Sequence, residues 1–170
     1  MKIETDLNVI KRNAKIREDE NFEFRTFLKF QDPDMVDRIV HELYEEVSEQ
    51  IDCTECGNCC MELGTCFTGR EIEVVTKFLS LDKESFLKKW TTVNREEEEE
   101  RYCLNSIPCR FLDDKKCIIY EIRPEECRSY PHLHKDEFTF RLFGVIDNYE
   151  ICPIVYNVYE QLKRKMHFRY

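Results

Sequence analysis

The segment CTECGNCC, residues 53–60, places four cysteines within eight positions. In Cys53-x-x-Cys56-Gly57, the two-residue gap lets both sulfur atoms face one ion, and Gly57 allows the positive φ that turns backbone N–H groups toward thiolates. Cys59 extends the series to C-x2-C-x2-C, a run that also wraps three corners of a [4Fe–4S] cubane. The segment therefore predicts a metal site that holds either zinc or an iron–sulfur cluster.

Cys60 needs a separate explanation because it directly follows Cys59. Side chains of adjacent residues tend to diverge, so these two thiolates are not expected to share one small tetrahedral ion. We expect them to serve two centres or one larger cluster. A second centre requires more sulfur, and the chain supplies it at Cys109, Cys117, Cys127 and Cys152. Eight thiolates fit two four-cysteine sites, and Cys152-Pro153 has the form of the remote fourth ligand of a cubane.

Ten cysteines would predict disulfide bonds in an exported protein, but residues 1–20 contain no uninterrupted apolar segment typical of a signal peptide. A cytoplasmic location, where thiols stay reduced, is therefore expected, and it favours metal binding over disulfides. Cys66 and Cys103 fall outside the eight ligands. Either could be a small buried apolar residue, which is the commoner role of a lone cytosolic cysteine.

The composition argues against two classes of partner. The net charge is −9, whereas binding the phosphates of a nucleic acid needs concentrated Lys and Arg, so no nucleic acid partner is expected. No apolar run approaches the roughly 20 residues that a membrane span requires, so no membrane partner is expected either.

The periodicity of apolar residues is mostly helical. Helix starts are predicted at three capping sites, namely Asp32-Pro33, the capping box Thr68-x-x-Glu71, and Asp82. Helical spacing also covers residues 3–14 and 153–170, while residues 138–143 alternate and predict a short β element near 137–146. The predicted fold class is α+β and mostly helical, a small domain organised around cysteine-ligated metal centres.

Two parts are predicted along the chain: an N-terminal helical extension over residues 1–50 and a cysteine-cluster metal-binding domain over residues 51–170. The phenylalanine-rich segment 21–30 in the extension could dock a protein partner. The consecutive glutamates of residues 96–100 repel one another, and they predict a solvated helix end or loop.

Basic residues lie close to the downstream cysteines. A four-thiolate centre is negatively charged, so Arg123 and Arg128 are expected to bind near the cofactor by donating hydrogen bonds to sulfur or to nearby carbonyl oxygens. Lys115 and Lys116 follow two aspartates in a predicted turn, and they are interpreted as ordinary surface charges.

Several motifs occur together across about residues 51–157, and these are Cys53-x-x-Cys56-Gly-x-Cys59-Cys60, Pro108-Cys109-x-Phe111-Leu112, Cys117-x-Ile119-Tyr120-x-x-Arg123-Pro124-x-x-Cys127-Arg128-x-Tyr130-Pro131, and Cys152-Pro153. Their combination resembles the CxxCxxCC cysteine-cluster family, which is described as zinc- or iron-chelating or as containing an iron–sulfur cluster. The resemblance implies metal chelation through the eight cysteines and assigns no reaction. Met61 stands where an arginine is frequent, and residues 79–82 lack a glycine often found in that turn, but neither departure removes a ligand.

Two functions are compatible with this pattern. The favoured one is an iron-binding protein that holds iron–sulfur clusters, [4Fe–4S] above all, in up to two centres, with a redox or auxiliary enzymatic role. The alternative is a structural zinc module that acts as an interaction or adaptor protein. Spacing alone does not separate iron from zinc, because four-thiolate sites accept both. His132 and His134 could ligate a metal or shuttle protons, although two solvated loop histidines fit the pattern better.

Overall fold

The computed structural model describes residues 3–94 and 100–170. Its helices are α1 (Leu7–Ile16), α2 (Glu18–Leu28), α3 (Pro33–Ser48), α4 (Cys53–Cys56), α5 (Asn58–Glu62), α6 (Gly69–Phe78), α7 (Lys83–Trp90), α8 (Glu125–Ser129), α9 (Leu142–Tyr149) and α10 (Pro153–Lys165). Its strands are β1 (Cys66–Phe67), β2 (Thr91–Asn94), β3 (Arg101–Leu104), β4 (Leu112–Asp113) and β5 (Lys116–Cys117). The predicted mostly helical α+β class is confirmed. Within the described ranges, no helix is both long and apolar enough to cross a membrane.

The chain forms two compact units. The helical unit contains the described part of residues 1–52 together with residues 131–170, and the cysteine unit contains the described part of residues 53–130. The division predicted from the sequence, into an N-terminal helical extension over residues 1–50 and a cysteine-cluster metal-binding domain over residues 51–170, stays a prediction. Most of the predicted glutamate loop, residues 96–99, lies outside the described residues.

Capped amphipathic helices build the helical unit. Asp32 caps α3 by accepting hydrogen bonds from two backbone N–H groups of its first turn, as the sequence predicted. Asp6 caps α1 in the same way, and this cap explains why the first helix begins at Leu7 rather than at residue 3. Helix α10 packs against α3 and α9. The phenylalanine-rich segment, whose period was ambiguous, forms most of α2, and Phe24 and Leu28 of that helix are fully buried.

A buried cation lies inside the helical unit. Lys163 is only 4% exposed, and its Nζ donates hydrogen bonds to Glu20 (2.9 Å), Asn21 (2.6 Å) and Glu160 (2.8 Å). The hydroxyl of Tyr149 donates a further hydrogen bond of 2.8 Å to Glu160. Burial alone would raise the pKa of Glu160, but these donors hold it below its usual value. The charges therefore compensate one another within the core.

The short β element predicted near residues 137–146 is wrong. Phe138–Phe140 forms a 3-10 turn, and α9 follows it. The carboxylate of Asp37, on α3, accepts hydrogen bonds from the backbone N–H groups of Glu137 (2.7 Å) and Phe138 (2.9 Å) and so fixes the turn. The apolar residues buried in this region follow helical spacing, and they are Phe138, Leu142, Val145 and Tyr149. The alternating apolar pattern that predicted a strand depended on Phe140, but this side chain is 78% exposed and contributes nothing to the core.

The cysteine unit combines two small sheets with short helices. Strand β3 pairs antiparallel with β1 on one side and with β2 on the other, and β4 and β5 form a separate hairpin. The predicted capping box of Thr68 and Glu71 starts α6, and the predicted cap Asp82 starts α7. The buried apolar cluster of this unit consists of Phe67, Ile72, Val75, Phe86, Leu104, Phe111 and Ile119.

Cys66 and Cys103, the two cysteines left outside the predicted ligand set, form a disulfide bond. They lie directly opposite each other where β1 pairs with β3. The sequence favoured metal binding over disulfides and offered a small buried apolar role for either cysteine, and both expectations are wrong for this pair. Their separation of 37 residues carries no local signal, because strand register is set by packing and not by cysteine spacing.

Candidate metal centre

The octapeptide around Gly57 folds into two short helical turns. Gly57 lies between α4 and α5 with a φ of 61°, the left-handed conformation predicted for it. Its N–H donates a hydrogen bond to the carbonyl oxygen of Cys53 (3.2 Å), and its own carbonyl oxygen accepts one from the N–H of Cys60 (3.1 Å). A Cβ atom at Gly57 would lie 3.0 Å from the carbonyl oxygen of Lys115. Only glycine therefore fits this turn without displacing its neighbour.

That neighbour is the turn of the β4–β5 hairpin. Asp114 and Lys115 both have positive φ, of 40° and 69°, as a two-residue hairpin turn requires. The turn predicted from the aspartates and lysines is thus confirmed, and all of its charged residues are exposed. The hairpin register pairs Leu112 with Cys117. Because the turn packs on Gly57, Cys117 is carried toward the octapeptide.

Cys60 has a direct backbone link to the downstream cysteines. Its carbonyl oxygen accepts a hydrogen bond of 2.7 Å from the N–H of Cys109. The pKa of the Cys60 thiol is raised far above its usual value, first by a hydrogen bond with the Cys59 side chain and then by burial. The adjacent side chains of Cys59 and Cys60 thus contact each other, whereas the sequence predicted that they would diverge and serve two centres or one larger cluster.

Cys109 and Cys117 lie in the same electrostatic neighbourhood. Burial is the largest cause of the raised pKa of both thiols, and the charge of Cys60 raises the pKa of each further. The backbone N–H groups of Phe111 and Ile119 act in the opposite direction, because each donates to the sulfur two residues before it. Such N–H donors favour thiolates, which are the form that binds metal.

Cys127 is fixed by the segment that contains β1. Its sulfur lies 3.1 Å from the hydroxyl oxygen of Thr65, which is itself buried. Burial raises the pKa of Cys127 to about 11, the hydrogen bond with Thr65 lowers it, and the charges of Cys60 and Cys109 raise it again. Cys60, Cys109 and Cys127 therefore lie close enough for their charges to interact.

Two glutamates hold the helix that carries Cys127. Glu126 accepts a hydrogen bond of 2.8 Å from the backbone N–H of Cys66, and Glu71 accepts one of 2.8 Å from the N–H of Glu125. The sequence had identified Glu71 only as part of a capping box, and it had given no role to Thr65 or Glu126. All three act across 54 to 62 residues of chain, so no local pattern could have found them.

Arg123 and Arg128 donate hydrogen bonds to carbonyl oxygens. Arg123 donates to the carbonyl of Tyr120 (2.8 Å) and stacks over the ring of the same residue at 3.7 Å. Arg128 donates to the carbonyls of Arg123 (2.9 Å) and Glu121 (3.0 Å). The charge of Arg123 also lowers the pKa of Cys117 against the effect of burial. Their predicted part in binding a cofactor stays a prediction.

The other predicted ligands differ in their surroundings. Cys53 is exposed, while Cys56 and Cys59 are half-buried. Cys152 is buried and belongs to the helical unit, where it occupies the N-cap position of α10. His132 and His134 also belong to the helical unit: the carbonyl of His132 accepts a hydrogen bond from Arg141, and the ring of His134 lies 5.9 Å from that of Tyr44.

The donor chemistry fits zinc and iron–sulfur clusters, because the available side chains are thiols in a partly buried setting. Within residues 3–94 and 100–170, however, no three His, Cys, Asp or Glu side chains are already arranged to hold one ion. Some of the thiols are hydrogen-bonded to other side chains: Cys60 to Cys59, and Cys127 to Thr65. Side-chain rotation and loss of the thiol protons would therefore accompany binding.

A protein-family model matches residues 52–143, which is more than half of the chain. The family is CxxCxxCC, described as "Putative zinc- or iron-chelating domain". The matched region spans the whole range of the cysteine unit, and it includes seven of the eight predicted ligands, leaving Cys152 outside. No solved structure matches the chain.

Proposed function

The chain belongs to the CxxCxxCC family, and from this premise we propose that it chelates iron as iron–sulfur clusters, in up to two centres, through eight cysteines. They are Cys53, Cys56, Cys59, Cys60, Cys109, Cys117, Cys127 and Cys152. When bound, such a cluster supplies one-electron transfer, which supports a redox or auxiliary enzymatic role. The proposal includes a cytoplasmic location, where ligand thiols stay reduced.

One observation carries the proposal. Cys60 perturbs the pKa of Cys109, Cys117 and Cys127, three thiols that lie 49 to 67 positions further along the chain. A fold that brings four thiols into one partly buried neighbourhood carries an electrostatic cost as soon as they ionise. A bound cation removes that cost, because it converts repulsion among thiolates into coordination.

The other residues of the site have supporting roles. The N–H groups of Phe111 and Ile119 donate to the sulfurs of Cys109 and Cys117, and the guanidinium of Arg123 offsets the negative charge of Cys117. Hydrogen bonds to sulfur tune the potential and stability of thiolate-bound clusters. Arg128, on α8, donates to the carbonyls of Glu121 and Arg123 and so ties α8 to the 3-10 turn at Tyr120–Ile122, and this connection supports the position of Cys127.

The test is metal and acid-labile sulfide analysis of full-length protein purified without oxygen. Iron and sulfide in near-equal amounts, with a visible absorption band that bleaches on reduction, are expected. Cys60→Ser should lose most of the iron, whereas Met61→Ser, at the exposed neighbouring position, should keep it. A colourless protein without iron, isolated under these conditions, would overturn the iron–sulfur proposal.

The short elements of the cysteine unit favour a second candidate, a structural zinc module. Strands β1, β4 and β5 have two residues each, and α4, α5 and α8 have four or five. Elements of this length bury little apolar surface, and a structural metal commonly replaces the missing core. In this case the purified protein should contain zinc without sulfide, and a chelator should unfold the cysteine unit. Retention of full far-UV circular dichroism after complete zinc removal would contradict the candidate.

A protein partner is proposed for the N-terminal segment. Phe30 is 84% exposed and Phe22 is 41% exposed, whereas Phe24 between them is fully buried and Phe27 is half-buried. Exposed aromatic residues of this kind mark contact surfaces. Phe30→Ser should weaken association with a partner or a second copy while leaving metal content unchanged. An unchanged elution volume and an unchanged set of co-purifying proteins would count against this role.

A further inference from the structure

The disulfide bond of the cysteine unit lies beside the candidate metal centre. It joins Cys66 of β1 to Cys103 of β3, and both residues are half-buried, so a reductant can reach them. Strand β1 has only two residues, and Phe67 opposite Tyr102 is its other pairing with β3. So short a strand has few backbone hydrogen bonds of its own, and the covalent link contributes a large share of its attachment.

The chain at β1 also fixes Cys127. Thr65, immediately before the disulfide cysteine, places its hydroxyl 3.1 Å from the sulfur of Cys127. The N–H of Cys66 itself donates to the carboxylate of Glu126, the residue before Cys127. The backbone of Thr65 is held in turn by the N–H of Leu104, which follows Cys103 and donates to the Thr65 carbonyl at 2.9 Å. The disulfide and the predicted ligand thus share one set of contacts.

The geometry points to a redox-controlled metal site, in which the Cys66–Cys103 disulfide retains the metal held by Cys127 and its reduction releases that metal. This inference rests on the proposed function, because it requires Cys127 to be a ligand. The co-reactant is a dithiol: one of its thiolates attacks a sulfur of the disulfide, and the second resolves the mixed disulfide. Two electrons and two protons pass to Cys66 and Cys103, which become thiols, and the dithiol becomes a disulfide.

Reduction of the Cys66–Cys103 disulfide weakens metal binding by Cys127 through the hydrogen bond of Thr65. With the covalent link broken, the segment is held only by the short β1–β3 pairing, the Leu104–Thr65 backbone bond and the burial of Phe67, so the Thr65 hydroxyl is held less firmly against Cys127. A ligand that loses such a supporting hydrogen bond typically binds its metal about 10- to 100-fold more weakly. Disulfides in a reducing compartment are usually transient and redox-sensing, which agrees with a regulatory rather than a permanent bond.

The experiment measures the rate at which Zn²⁺-loaded full-length protein gives up its metal to a chromophoric chelator. One sample has the disulfide intact, as verified by alkylation and mass spectrometry. A second is reduced with a dithiol, desalted without oxygen and then loaded. We expect release about tenfold faster from the reduced sample. The double variant Cys66→Ser/Cys103→Ser should release zinc at the reduced rate with or without dithiol.

The variant Thr65→Val tests whether reduction of the disulfide weakens metal binding through the Thr65 hydroxyl. It keeps the size of the side chain and removes the hydroxyl, so release should be about tenfold faster even with the disulfide intact, and reduction should add little. Thr26→Val is the matched control, since Thr26 is exposed and its hydroxyl donates to the carbonyl of Phe22 within the same helix. Its release rates, oxidised and reduced, should equal those of the unchanged protein. If the serine variant fails to fold, the wild-type and Thr65→Val measurements still decide the question.

The outcomes separate the two proposals. Equal release rates from oxidised and reduced protein, or a full additional effect of reduction in Thr65→Val, would overturn the redox inference while the metal site stands. So would the finding that Cys66 and Cys103 are thiols after purification without reductant. Failure of every sample to bind zinc or iron would instead overturn the proposed function.

Discussion

The backbone N–H of Cys109 donates a hydrogen bond of 2.7 Å to the carbonyl oxygen of Cys60, although 49 positions separate the two residues. A main-chain bond of this kind fixes the relative position of two predicted ligands without using either sulfur. Both thiols remain available as donors, and the scaffold that presents them does not depend on the metal for this contact.

The turn at Gly57 should be intolerant of a side chain. Gly57→Ala places a Cβ 3.0 Å from the Lys115 carbonyl and forces a positive φ on a residue with a side chain. We expect a loss of at least about 1–2 kcal/mol in the free energy of unfolding, measured by urea denaturation. Gly64→Ala is the control, because nothing lies within 4 Å of its added Cβ. Equal stability of the two variants would show that the turn relaxes.

Glu71 should contribute more to the free energy of unfolding than an ordinary surface glutamate, because its carboxylate accepts hydrogen bonds from two separate segments of the chain. One carboxylate oxygen bonds the N–H of Thr68 at 2.7 Å, and the other bonds the N–H of Glu125 at 2.8 Å. Glu71→Ala should cost about 1–2 kcal/mol in unfolding free energy, since both a helix cap and the anchor of α8 are lost. Glu73→Ala on the same helix removes only an exposed pair with Lys83 and should change little.

The metal-free protein should lose stability in alkaline solution. The pKa of Cys127 is raised by burial to about 11 from an ordinary value of 9.0. The folded state therefore binds more protons than the unfolded state between these values. The stabilisation is complete below about pH 9 and is lost as the pH rises through about 11, by on the order of 2 kcal/mol. Denaturation curves measured across this range should show a smaller loss for Cys127→Ser.

Lys163 should be essential to the helical unit. Lys163→Ala removes the cation that contacts both Glu20 and Glu160, and it leaves Glu160 with Arg17 as its remaining cationic partner. Because buried acceptors on Asn21 and Glu160 lose a hydrogen-bond donor, the variant should lose about 1–3 kcal/mol in unfolding free energy and melt at lower temperature. Lys165→Ala removes an exposed pair with Glu42 and serves as the control. Similar melting temperatures for the two variants would mean that water reaches the Glu160 network.

Structural features formed by residues close together in the chain could be predicted from the sequence. The caps at Asp32 and Asp82, the capping box of Thr68 with Glu71, and the glycine turn all involve residues within four positions of one another. Their physics is local, because a side chain there bonds the backbone of the next turn. The cysteine pattern likewise identified the family correctly.

The long-range features could not be predicted in the same way. The bond between Cys66 and Cys103 depends on strand register, and the contact of Thr65 with Cys127 joins residues 62 positions apart. Tertiary packing decides both. The wrong prediction of a β element at residues 138–143 has a different cause. The buried residues Phe138 and Leu142 are four positions apart, which fits a helical period, and the apparent alternation depended on Phe140, which is exposed.

The division of the chain affects the order in which it can fold during translation. Helix α3 leaves the ribosome before residues 53–130, whereas α10, which packs on it, follows them. Since domains tend to fold as they emerge, the core around α3 and α10 stays incomplete until the entire cysteine unit has been synthesised. The core of the helical unit is therefore completed last, and among the predicted ligands only Cys152 is synthesised after the cysteine unit.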